Sequence, residues 1–170
     1  MIKPFDTQLQ VALRALNEVV APALTGAEKH VVEQLHLTIA TLGFVKERLP
    51  QARRYYRMEL RSFLDLAAQA VTLAGVGLAD ACAGLDDCIG AAEALLLDPE
   101  ADLPDYEAAT GALRDGIARL SSEAAGTPRQ QELERLILNG SRQIIEQSRV
   151  WCVPFGFEPA PDALPAAKWL

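Results

Sequence analysis

The sequence predicts an all-α fold: an up-down bundle of five to six helices over residues 1–150, followed by an extended tail rich in proline and aromatic residues over 151–170. Three observations carry that expectation. Ala, Leu, Glu, Gln and Arg, which favour helix, dominate the 170 residues. Apolar residues recur every three to four positions, the period of one helical face. The strict alternation that marks a half-buried strand is absent.

The first helix is expected from about Asp6, a fair N-cap, to Val20, with Leu9, Leu13, Leu16 and Val20 on one stripe and Pro22 and Gly26 at its end. Thr25 and Glu28 make a capping-box pattern that opens a second helix running to about Leu49. Val31, Leu35, Leu42, Val45 and Leu49 line one of its faces, and Leu37, Ala40 and Phe44 the roughly opposite one. A helix apolar on two sides is central in a bundle or sits at a subunit interface, which makes Leu37 and Phe44 the interface candidates. Pro50 suits the first turn of a third helix and disfavours helical geometry at Leu49. Its stripe of Leu60, Phe63, Leu64, Ala67, Val71 and Ala74 resumes after Gly75-Val76-Gly77 as Leu78, Ala81, Cys82, Leu85, Ile89, Ala92 and Leu96. The phase is kept across the glycines, so the segment is either a hairpin or one rod of about 70 Å at ~1.5 Å per residue. No other segment could cover such a rod, and the hairpin is favoured. Asp98-Pro99 ends the fourth segment. Asp102, with Pro104 in the first turn, caps a fifth helix marked by Leu113, Ile117 and Leu120. Thr127-Pro128-Arg129-Gln130 is a second capping box, opening a helix through Leu133, Leu136, Ile137, Ile144 and Ile145 to about Arg149. Four of the ten prolines fall between Pro154 and Pro165, which predicts an extended tail.

Composition excludes several classes. Sixteen Lys and Arg stand against 23 Asp and Glu, a net charge of −7, which argues against nucleic acid and against adhesion to an anionic membrane. No apolar stretch of ~18 residues spans a bilayer. Met1-Ile2-Lys3-Pro4-Phe5-Asp6 has no apolar core of a signal peptide. Three cysteines without CxxC pairing fit a reduced, cytoplasmic protein.

Few residues suggest chemistry. Glu33 and His36 have the E-x-x-H spacing of di-iron bundles, but those sites need two such motifs, and His30 and His36 are the only histidines. Cys82 and Cys88 are about 9 Å apart along a helix and cannot pair; Cys82 falls on the apolar stripe. Neither a catalytic residue, nor a metal site, nor a cofactor is implied. Charge is segregated, however. Lys46 to Arg61 holds six of the 16 basic residues, and Asp86 to Glu107 holds eight acids and no base. Arg53, Arg54, Arg57 and Arg61 share one side of the third helix, near its N-terminus, where positive charge is disfavoured. Either the two charge runs neutralise each other across the hairpin, or the arginines form an anion site. The tail is also unusual: Trp151, Phe155, Phe157 and Trp169 are four of the ten aromatics, and apolar side chains on a stiff segment seek a groove. They pack back across their own bundle or dock on a second copy or another protein.

Glu18-Val19-Val20-Ala21-Pro22-Ala23-Leu24-Thr25-Gly26, followed by a helix ending Phe44-Val45-Lys46-Glu47-Arg48-Leu49, resembles part of a group of small all-helical bacterial proteins of uncharacterised function, encoded beside acyl-CoA dehydrogenases and aminoglycoside-phosphotransferase-like kinases. The resemblance covers under a third of the chain and implies an accessory role. The expected function is that of a non-catalytic cytoplasmic interaction protein, forming a homo-oligomer or engaging a protein partner. The alternative is a ligand-binding bundle that takes an acidic or phosphate-bearing organic molecule, for example an acyl-CoA, through an arginine-lined mouth.

Overall fold

The apolar stripe through Leu9 and Leu13 forms α1, Pro4–Ala15, in the computed structural model, which describes residues 4–170. Met1, Ile2 and Lys3, which enter the expectation of no signal peptide, lie outside the described residues. α1 runs on through one π-helical turn, Leu16–Val20, and a closing turn, Ala21–Ala23. Pro22 explains the wide turn. It has no N–H to donate, and its ring crowds the carbonyl four residues back. The backbone accommodates this by one extra residue, with the Ala21 N–H reaching the Leu16 carbonyl.

Five further helices follow: α2, Lys29–Arg48; α3, Ala52–Ala74; α4, Ala79–Leu97; α5, Leu103–Glu123; and α6, Gln130–Cys152. There is no strand among the described residues, so the fold is all-α. No helix among them is long and apolar enough to cross a membrane. α3 breaks at Gly75, whose φ of +62° only glycine adopts freely, and a 3₁₀ turn, Gly75–Leu78, leads into α4. Arg57, near the start of α3, reaches the carbonyl of Leu96, near the end of α4, at 2.8 Å. The two helices are therefore antiparallel, and the glycines make a hairpin rather than a rod.

The caps follow the sequence at one site and depart from it at two. Asp102 opens α5 with a reciprocal capping box, its backbone N–H donating to Asp105 Oδ2 at 2.8 Å. Thr25 and Thr127 do not cap the helices that follow them. Each hydroxyl donates backwards, to Pro22 and to Ala124, at 2.7 Å. Those carbonyls lie at the ends of the preceding helices and also accept the backbone N–H of the same threonine, at 3.3 and 3.0 Å, so each threonine closes a local turn. α2 then starts after Glu28 without a side-chain cap, and Gln130 Oε1 accepts from the Gly126 N–H at 2.7 Å. At the other end, α6 continues to Cys152, three residues past the expected Arg149, and Val153–Phe155 make a 3₁₀ turn.

The chain divides into two compact units: Met1–Gln51 with Arg149–Ala166, and Ala52–Ser148 with Ala167–Leu170. The second holds the main core, in which Leu60, Leu85, Tyr106, Leu113, Leu120 and Leu133 are fully buried. Gly116 faces Leu85 so closely that a Cβ there would lie 2.7 Å from the leucine's Cδ1. In the first unit Leu35 is the only buried side chain among the described residues. Phe5, Val11 and Val19 stand 70%, 62% and 67% exposed.

Candidate ligand-binding site

The arginine run on α3 splits by helical face. Arg53 and Arg57 reach the end of α4, where Arg53 donates to the Pro99 carbonyl and Arg57 to that of Leu96. The last carbonyls of a helix lack internal partners and carry partial negative charge, so guanidinium groups suit them. The acids of the Asp98–Asp105 link form no ion pair with these arginines among the described residues; backbone oxygens take that place. Arg54 and Arg61 lie on the adjoining stripe with Met58 and Asp65, at the three-to-four spacing of one face.

That stripe forms a wall of a cavity of about 410 Å³. The opposite wall is the C-terminal segment. Trp169 is buried and meets the Tyr55 ring edge-on, centroids 5.2 Å apart. The Lys168 backbone N–H donates to Oε1 of the buried Gln147 at 2.9 Å. These two contacts fix the backbone at Lys168, whose side chain lines the cavity together with Arg54 and Arg61. Four basic side chains, Arg54, Arg57, Arg61 and Lys168, line the cavity, against one acidic side chain, Asp65, and the terminal Leu170 with its main-chain carboxylate. Among the described residues the side chains of Arg54, Arg61 and Lys168 have neither an ion pair nor a hydrogen bond. Ser62, Asp65 and Lys168 also line a second cavity of about 250 Å³, so the two adjoin across these residues. This inner one is walled by the amides Gln69, Asn139 and Gln143.

An apolar cleft of about 600 Å³ lies among α3, α5 and α6, lined by Phe63, Ile117, Ile137, Ile144 and Ile145. Glu59 and Arg114 are its charged residues. Burial pushes the Glu59 carboxyl above its ordinary range; Arg114 pulls it down and Glu107 pushes it further up. Arg114 lies over the Phe63 ring, 5.9 Å from its centroid.

The tail residues singled out in the sequence belong to the first unit, except Trp169. Phe44 stacks on Phe155, centroids 4.1 Å apart, and meets Trp151 edge-on at 6.1 Å. Phe157 stacks loosely on Phe155 and stays 74% exposed; Leu37 is 46% exposed. Arg48, part of the basic run from Lys46 but not among the site candidates, ties this unit together. It donates to the carbonyls of Trp151 and Val150, at 2.8 and 3.2 Å, and its guanidinium lies over the Trp151 ring. Gln147 and Lys168 were not singled out either. Gln147 could have been read as the polar interruption of the stripe Leu133, Ile137, Ile144; for Lys168 no signal exists short of the fold.

Glu33 and His36 are exposed, with Glu33 paired to Lys29 at 3.4 Å. Among the described residues, no group of three or more His, Cys, Asp or Glu side chains is placed to hold a metal ion. Comparisons with protein-family models, curated proteins and solved structures find no match to this chain.

Proposed function

We propose that the protein acts by association, as a helical accessory protein without catalysis of its own. One observation carries the reading: the first unit has almost no core. Leu9, Leu13 and Leu16 are only half-covered, Phe5 and Val19 lie open, and Leu35 alone is buried among the described residues. Helices that leave their apolar faces in water gain little from packing, and such patches mark interfaces. The occupant is a second copy of the chain, since two-fold pairing is the commonest assembly of soluble proteins. The three free thiols support a reducing, cytoplasmic setting, and the charge of −7 disfavours nucleic acid. The resemblance of residues 18–26 and 44–49 to small helical bacterial proteins encoded beside dehydrogenases and kinases points the same way.

Light scattering of the full chain across a range of concentrations tests this. A dimer or larger species is expected, and Phe5→Ser with Leu37→Ser should shift it to monomer with helix content unchanged. A monomer at every concentration overturns self-association.

A second reading is favoured by the unpaired Arg54, Arg61 and Lys168: the bundle binds an acidic or phosphate-bearing organic ligand. The candidates are then Arg54 and Arg61, with Arg53 and Arg57 serving the end of α4.

A further inference from the structure

We infer that the two adjoining cavities on α3 form a site for a small phosphorylated polyol, such as a sugar phosphate, with the phosphate at Arg54, Arg61 and Lys168 and the hydroxyl-bearing body among Asp65, Gln69, Asn139 and Gln143. The inference rests on the ligand-binding reading above and adds what lies beyond the anion.

The outer part demands an anion. Three cations without ion-pair partners among the described residues line one cavity in a protein of net charge −7, and like charges on one surface favour a bound anion. Arginine forks match phosphate oxygens with paired N–H donors, and lysine adds a point charge. The backbone of one wall is pre-formed: the Lys168 N–H is bonded to buried Gln147 and Trp169 is seated on Tyr55, so the ordering that remains when a ligand arrives is that of side chains.

The inner part demands hydroxyl groups. Its polar lining combines side-chain amides with a carboxylate, a mixed set of donors and acceptors. A hydroxyl both donates and accepts, so a polyol can satisfy such a set, whereas an acyl chain would leave it unpaired. No aromatic ring lines this inner cavity, so a stacked base has no platform there. The outer cavity of about 410 Å³ already falls within the ~300–1,000 Å³ of small-molecule sites, and the inner one adds room for a short polyol.

Calorimetric titration of the full chain with inorganic phosphate, with glucose, and with a panel of hexose, pentose and glycerol phosphates tests the inference. At least one phosphorylated polyol should bind about tenfold or more tighter than phosphate, the gain expected of two added hydrogen bonds. Glucose alone should not bind measurably. Arg54→Gln with Arg61→Gln should abolish binding of phosphate and of the polyol phosphate alike. Asn139→Ala with Gln143→Ala should bring the polyol phosphate down to the affinity of phosphate and leave phosphate unchanged. All four positions are exposed, so the melting temperatures without ligand should stay close to that of the parent. If phosphate binds and no panel member binds tighter, the polyol assignment falls and the anion reading stands. If neither binds, both fall.

Discussion

Glu59 is half-buried in the apolar cleft and has neither an ion pair nor a hydrogen bond among the described residues. Burial raises its pKa despite the pull of Arg114. The folded state then holds the proton more tightly than the unfolded chain does. The ionised carboxylate therefore costs stability above its folded pKa, and the cost fades as pH falls toward the ordinary carboxylate value. Glu59→Gln is expected to raise the melting temperature near pH 7, with the gain shrinking toward zero by about pH 4. A melting series across that range checks it, and a gain that grows on acidification would contradict it. The residue scale is also where the sequence is least legible. Nothing local distinguishes Arg53 and Arg57, which serve the end of α4, from Arg54 and Arg61, which have no partner; adjacent positions on a helix differ by 100°, and only the neighbouring helix decides which side is used.

At the scale of elements, the boundaries follow backbone chemistry. Gly75 ends α3 because the turn needs a positive φ, whereas Gly90 sits inside α4 with no atom within 4 Å of where its Cβ would be. The two glycines should respond oppositely to alanine. Gly75→Ala forces a side chain into the left-handed region and should cost about 1–2 kcal/mol. Gly90→Ala removes backbone freedom from the unfolded chain and should add about 0.5–1 kcal/mol. Urea midpoints of the two variants decide the matter. The threonines illustrate why caps were misplaced. Thr25-Glu28 and Thr127-Gln130 have the spacing of a capping box, but each hydroxyl has a choice between the helix ahead and the one behind. A turn three residues back places a carbonyl within reach behind, one that already accepts the threonine's own N–H, and that bond forms instead. Asp102 lacks that choice: a carboxylate only accepts, so it turns forward to backbone N–H groups.

At the scale of the molecule, the two units differ in what stabilises them. The larger unit buries Leu60, Leu66, Leu85, Leu113, Leu120 and Leu133; the smaller buries Leu35 and leaves Leu9, Leu13 and Leu16 half-covered. Local opening free energy tracks buried contact, so amides of α1 and α2 should exchange with deuterium well before those of α3 and α5. If a second copy covers the smaller unit, that exchange should slow as protein concentration rises, by mass action. Hydrogen-exchange mass spectrometry at two concentrations reads both effects. Equal protection in the two units would contradict the first, and concentration-independent exchange in α1 the second.

Helical class and the acid-capped start of α5 were determined by the sequence alone, because each depends on a few neighbouring residues: a 3.6-residue period, a carboxylate beside unpaired N–H groups. The choice between hairpin and rod at the glycines, the placement of the arginines, and the seating of Lys168 and Trp169 against Gln147 and Tyr55 were decided only by tertiary structure. Each is a competition between partners distant in sequence, such as Tyr55 and Trp169, or Arg57 and Leu96. A periodic pattern states which face of a helix is apolar; it does not state which groups from elsewhere in the chain arrive to meet the polar one.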